Sequence, residues 1–121
     1  VARIKETKAE KSYRIRFQVE GDIPEDSESK ILELAGVILE QRTPKRVAHR
    51  RSDLVRKRQV ISVENVLIEE NEIQFDVRCQ SGTYVKEMVH SDDGRTTPSV
   101  AEILESECSV LWLDVIEIHA E

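Results

Sequence analysis

Two stretches of the chain alternate apolar and polar residues with a period of two. Tyr13, Ile15, Phe17 and Val19 interleave with Arg14, Arg16 and Gln18, and Ile73, Phe75, Val77 and Cys79 interleave with Gln74, Asp76 and Arg78. Every second side chain of a strand lies on one face, so each stretch predicts a strand with one face buried and one wet. Half-buried strands need a second layer, and the sequence offers short helices for it. Ser27 stands as an N-cap before Glu28, with Ile31, Leu34 and Ala35 on one face and Gly36 as the C′ residue. Val85, Met88 and Val89 have i, i+3, i+4 spacing for a helix ending before Gly94. Thr97-Pro98 reads as an N-cap followed by proline at the first helical position, with Val100, Ile103 and Leu104 as the buried stripe.

Three further strands complete the pattern. Val37, Ile38 and Leu39 lead to Gln41, with continuation of the first helix as the competing reading; Val60 to Ile68 runs to a turn at Asn71; and Val110 to Ile118 closes the chain. The expected class is α+β, with a mixed, mainly antiparallel sheet and short helices. The 121 residues fit one domain, with residues 1–11 as a charged N-terminal segment and 12–121 as the body. The longest apolar run is Val110 to Leu113, against the roughly 18 residues that span a bilayer. Val1 to Lys11 alternates charges without the apolar stretch of a signal peptide. Cys79 and Cys108 are too few for a disulfide framework, so a reducing cytoplasm is the expected location.

A net charge of −6 conceals a local reversal. The 17 residues from Arg42 to Arg58 hold eight Lys or Arg and one acid, Asp53, for a net of +7, which leaves −13 on the remaining 104. A basic block inside an acidic body points to a local polyanionic partner. The block is mostly arginine, whose planar fork suits phosphate and stacks on bases, and Pro44 stiffens it. The four glycines are dispersed, which excludes a glycine-rich phosphate loop, and there is no HExxH, nucleophile elbow or CxxC. No metal-ligand spacing is present. From these features alone the chain is a small globular domain with an arginine-rich loop.

Two segments narrow this. Ser81-Gly82-Thr83-Tyr84-Val85-Lys86, followed by Asp92 and Gly94, resembles the G-T-Y-[IV]-[RK]…D-x-G motif of pseudouridine synthases. Gln41-Arg-Thr-Pro-Lys-Arg-Val-Ala-His-Arg-Arg51, with Val89-His90 and Gly94-Arg95-Thr96…Pro98, resembles the archaeal and eukaryotic family that modifies the T arm of tRNA. The likeness runs from about Lys11 to the C-terminus. Ser91 stands where that family usually carries glycine.

The resemblance implies half of a pseudouridine synthase catalytic domain, working without a cofactor or metal. Lys86 takes the motif position of the cation that pairs with the nucleophilic aspartate, Tyr84 contacts the flipped uracil, and Leu113 lies beneath the base. The aspartate belongs to an upstream G-R-x-D segment that nothing before Tyr13 matches. The chain therefore reads as the C-terminal part of a longer enzyme, inactive alone, whose partners are tRNA and the missing N-terminal part, with self-association of the fragment expected. Arg42, Lys45, Arg46, Arg50, Arg51, Arg56, Lys57 and Arg58 become the phosphate-gripping set, and His49 stacks or hydrogen-bonds. The related enzymes carry a base-stacking tyrosine in this motif. None lies between Gln41 and Arg58, so either Arg46 stacks or the aromatic comes from outside. The alternatives are a non-catalytic RNA-binding module using the same loop and a domain whose arginines meet an acidic protein.

Overall fold

The computed structural model describes residues 9–50 and 52–119. In chain order the elements are β1 (Glu10–Val19), α1 (Ser27–Leu32), β2 (Ile38–Arg42), a 3-10 turn (Lys45–Val47), β3 (Val55–Glu69), β4 (Glu72–Cys79), α2 (Val85–His90), β5 (Thr96–Thr97), α3 (Val100–Leu104) and β6 (Cys108–His119). The six strands form one sheet in the order β5-β2-β3-β4-β1-β6, and each of the five pairings is antiparallel.

The period-two runs become adjacent central strands. Ile15 lies opposite Phe75 and Phe17 opposite Ile73, all fully buried. Phe17 and Phe75 meet edge to face, with centroids 5.9 Å apart and planes at 79°. Ile31 and Leu34 of the α1 region, Val85, Met88 and Val89 of α2, and Val100 and Leu104 of α3 cover this face.

The other face is wet and carries ion pairs. Arg14 donates Nε and Nη2 to Asp76 at 2.8 and 3.0 Å, and Asn65 Nδ2 donates to the same carboxylate at 2.9 Å. Asn65 reaches it from a register shift in β3 where its φ is +58°. Asparagine tolerates that conformation, and the irregularity was not visible in the apolar pattern. Arg16 spans Glu72, Gln74 and Glu69, and Arg78 meets Glu10. The hydrogen bonds from Arg14 hold the Asp76 carboxyl below its ordinary pKa despite its burial.

That shift carries a sign. A carboxyl whose pKa is lower in the folded state stabilises the fold above its unfolded pKa of about 4, and loses that contribution as pH falls through the folded value. Asp76→Asn is expected to cost about 1.5–3 kcal/mol at pH 7, toward the lower figure because Arg14 is half-exposed. It should also lose less stability than wild type between pH 5 and pH 2. Parallel acid limbs in urea titrations of the two proteins would sink this assignment.

Several sequence expectations shift in detail. Ser27 is not a cap: the helix starts on it, and its Oγ donates to Pro24 O at 2.7 Å. Gly36 does adopt a φ of +88°, but four residues past Leu32, where its N–H meets Val60 O at 2.8 Å. Thr97 lies in β5 and is not the cap of α3. Ser99 is, within a capping box: its Oγ accepts from Glu102 N–H at 3.1 Å, and Glu102 Oε1 accepts from Ser99 N–H at 3.1 Å. The basic block is also not all loop. Arg42 ends β2 and Arg56, Lys57 and Arg58 open β3, opposite Gln41, Glu40 and Leu39. β1 begins at Glu10, inside the segment read as a charged start, and residues 1–8 lie outside the described residues. No helix among the described residues is long and apolar enough to cross a membrane.

Candidate active site and nucleic-acid interface

The motif helix α2 grows from a tight turn. Thr83 Oγ1 donates to Gln80 O at 2.6 Å, and Gly82 holds a φ of +86°. A Cβ at Gly82 would stand 3.1 Å from Arg58 Nε, so the glycine admits both the left-handed turn and the arginine lying across it. Tyr84, half-buried, takes the N-cap position of α2, and its carbonyl accepts the first helical bond from Met88 N–H at 3.1 Å.

Gln41 fixes the main chain of that tyrosine. The Gln41 side chain is 2% exposed; its Nε2 donates to Tyr84 O and its Oε1 accepts from Tyr84 N–H, both at 2.9 Å. One amide thus serves the Tyr84 main chain as a neighbouring strand would. The Arg46 guanidinium carbon stands 5.8 Å from the Tyr84 ring centroid. Arg46 also donates Nε and Nη2 to Glu87, at 2.8 and 3.3 Å. Glu87 is 2% exposed, and His90 Nε2 lies 3.8 Å from it. His90 Nδ1 accepts from Asp92 N–H at 3.1 Å, which leaves Nε2 as the ring nitrogen facing Glu87.

The turn after α2 holds the basic loop from the other side. Ser91, Asp92, Asp93 and Gly94 all have φ between +53° and +84°. Ser91 Oγ accepts from Gly94 N–H at 3.0 Å, a bond that glycine at 91 could not make. Asp92 accepts from Lys45 N–H at 3.0 Å, and Lys45 Nζ pairs with Asp93. Arg95 donates Nε and Nη2 to Thr43 O at 2.9 and 2.6 Å and reaches Asp53 at 3.3 Å. Asp53 in turn accepts three contacts from Arg42, whose hydrogen bonds hold it below the ordinary carboxylate range. Asp93 is lowered likewise by Lys45.

These pairs sort the eight basic residues. Arg42, Lys45 and Arg46 are engaged with acids of the chain itself, and Arg58 lies against Gly82 while its Nη1 donates to Lys57 O at 2.8 Å. Arg46 lies over the ring of the chain's own Tyr84. Arg50, Arg56, Lys57 and His49 are exposed, and Arg50 and Arg56 line an open groove of about 400 Å³ with Ser52 and Leu54. Arg51 lies outside the described residues.

Lys86 is exposed on the first turn of α2, and Leu113 is half-buried in β6, against which α2 packs. Neither cysteine is available as a nucleophile at neutral pH. Burial pushes the Cys79 thiol up to about 11 and the Cys108 thiol to about 11. No cluster of metal-ligating side chains occurs among the described residues. Gln41, Glu87, Asp92 and Asp93 were not assigned roles from sequence. Gln41 and Asp92 do stand within the two motifs quoted above, and the signal for Glu87 and Asp93 is a set of acids beside the motif in a chain whose bases cluster elsewhere.

The structure is similar to a solved Cbf5-Nop10-Gar1 complex, with a TM-score of 0.73 and 28% identity over 93% of this chain and 31% of that one. An H/ACA RNP bound to a substrate RNA containing 2'-deoxyuridine shares the fold at a TM-score of 0.67. In sequence, the protein named tRNA pseudouridine synthase Pus10 of Methanocaldococcus jannaschii is 42% identical over 117 residues, covering 95% of this chain and 26% of that one. Its namesake in Thermoplasma acidophilum is 44% identical over 120 residues, covering 95% and 31%. Both of these sequence relatives are proteins named tRNA pseudouridine synthases. Residues 1–119 match the family model described as Pus10, C-terminal, and the chain belongs to that family. It spans about a quarter to a third of the length of these curated relatives.

Proposed function

We propose that this chain is the C-terminal part of the catalytic domain of a cytoplasmic tRNA pseudouridine synthase that isomerises uridine in the T arm. The observation that carries the reading is the stapling of the arginine-rich loop onto the helix bearing Tyr84 and Lys86. A grip for polyanions and a motif for base chemistry are thereby one body. The nucleophilic aspartate comes from sequence outside these residues, so the chain alone is inactive. With that aspartate in place, the bond from C1′ to N1 breaks, the uracil turns, and a bond from C1′ to C5 forms. C5 loses its proton and N1 gains one, so composition is unchanged and no cofactor is needed.

Lys86 supplies the cation that keeps the aspartate ionised in a pocket whose dryness opposes it. Tyr84 and Leu113 border the extruded base. Arg50, Arg56 and Lys57 take phosphates, with Arg51 beside them in sequence. The edge strand β6 fits the same picture: Leu111, Trp112, Val115, Ile116 and Ile118 are exposed along it, and one side of its backbone has no strand neighbour among the described residues. A seam of this kind suits pairing with the rest of the protein, and gives the isolated chain a route to self-association.

One preparation of the full-length protein tests the function. Incubated with an unmodified tRNA transcript, it should place pseudouridine in the T arm; modification elsewhere, or none, overturns the reading. Binding to the same transcript should weaken as salt rises. Arg50→Ala combined with Arg56→Ala should flatten the log–log salt slope by about 1.4–1.8, at about 0.7–0.9 per phosphate contact. An unchanged slope moves the grip off this groove.

A further inference from the structure

The buried carboxylate of Glu87 and the buried amide of Gln41 take no part in the chemistry just described, yet both bear on Tyr84. A carboxylate 2% exposed needs compensation, and Arg46 provides it through two hydrogen bonds. As a device for stability alone this is a poor arrangement. A buried ion pair is often replaced by apolar residues of similar volume at no loss, and here the outer partner, Arg46, is half in solvent. What the pair does supply is direction. A guanidinium is planar, so two bonds to one of its edges fix the orientation of the whole plane. Glu87 follows Tyr84 by three residues, one helical turn on, which sets the anchored Arg46 beside the tyrosine ring.

Gln41 acts on the main chain of the same residue. It sits in β2, immediately before the chain enters the basic loop, and its amide occupies both main-chain polar groups of Tyr84. The loop is therefore tied to Tyr84 at its root through Gln41 and in its body through Arg46.

We propose that Glu87 and Gln41 are positioning residues for the pseudouridine-forming site, fixing the Tyr84 ring and the Arg46 guanidinium as one wall against which the target nucleoside is set. This rests on the function proposed above and adds two residues to it. A misplacement of about 1 Å in such a wall is enough to cost a large factor in rate, while phosphate contacts made elsewhere on the loop continue to hold the tRNA.

The test uses the full-length protein. Glu87→Gln keeps the volume and removes the charge, Arg46→Lys keeps the charge and removes the fork, and Gln41→Glu removes the donor to Tyr84 O. Each variant is measured for Tm, for tRNA affinity and for the single-turnover rate of pseudouridine formation. The expected signature is a rate roughly tenfold lower or more with affinity within about threefold of wild type. Glu87→Gln and Arg46→Lys combined should be no slower than the slower single variant, since both break one contact. If Glu87→Gln does not fold, Arg46→Lys, at the solvent end of the pair, carries the measurement. A lowered Tm with an unchanged rate for the folded protein would reduce these residues to scaffolding and overturn the inference, as would losses that simply add. Wild-type turnover with unaffected variants removes this inference alone. A wild-type protein that forms no pseudouridine on tRNA removes the proposed function and this inference with it.

Discussion

Lys86→Met, introduced into the full-length protein, is expected to lower single-turnover pseudouridine formation by about two to three and a half powers of ten while leaving tRNA affinity within about threefold. The factor follows from the proposed pairing of Lys86 with the nucleophilic aspartate. Removing one partner of a buried ion pair costs about 3–5 kcal/mol, because the survivor is left uncompensated, and about 1.4 kcal/mol is a factor of ten. Here the survivor is the nucleophile. Its pKa rises, and it spends more of its time protonated and unreactive. Affinity is spared because Arg50, Arg56 and Lys57 sit on the loop and on β3, about 30 residues earlier in sequence, and do not depend on Lys86 for their placement. Lys86→Arg should keep partial activity, since the charge remains while the fork requires different geometry. Single-turnover assays beside a binding titration decide it. A Lys86→Met rate within a few-fold of wild type would mean that the exposed Lys86 is an ordinary solvated lysine in the full-length protein too.

The second large effect is on the fold. Phe75→Ala is expected to destabilise the protein by about 3–5 kcal/mol, the usual cost of emptying a fully buried aromatic site. Phe75 lies at the centre of the sheet on β4, opposite Ile15 and edge-on to Phe17, so its removal strips contacts from both neighbours and leaves a void that rigid strands cannot close. Against a total stability of about 5–15 kcal/mol, that loss is a large share. Phe75→Leu, which retains most of the apolar volume, should cost less than half as much. Urea denaturation with fixed m-value distinguishes the two. Equal midpoints for Phe75→Ala and wild type would mean that the core lies elsewhere.

The parts of the fold legible in the sequence are those where one residue's burial is settled by its own strand or helix period. Ile15, Phe17, Ile73 and Phe75 on the strands, and Val85, Met88 and Val89 on α2, belong to this group. The parts that were not legible depend on partners far apart in the chain. That Ser99 caps α3 in place of Thr97 follows from β5 pairing with β2, which draws Thr96 and Thr97 into the sheet. That Arg56, Lys57 and Arg58 lie on a strand follows from β2 running beside them, and nothing in a run of three cations announces it. The site divides in the same way. The motif put Tyr84 and Lys86 on one helix start, whereas the pairing of Arg46 with Glu87, 41 residues away, and of Lys45 with Asp93, 48 away, exists only in three dimensions. The high charge of the block was therefore legible. Its division into cations held by the chain and cations turned outward was not.

An alternation of period two returns to itself after a shift of two residues. Sliding β1 against β4 by two would still set apolar against apolar on the covered side, Ile15 meeting Val77 or Ile73 in place of Phe75, so the core by itself leaves these slipped sheets nearly degenerate with the native one. The wet side removes the degeneracy. A slide one way would place Arg14 opposite Arg78, two like charges; a slide the other way would place Arg14 opposite Gln74 and leave Asp76 facing Ser12. Either shift takes Arg14 out of line with Asp76, whose carboxylate, already held by Asn65 of β3, meets the guanidinium only in the native alignment. The charged side thus selects one alignment from a periodic series that the apolar side permits. Because β1 is the strand on which β6 is laid, that choice also sets where Leu113 comes to rest relative to the helix carrying Tyr84.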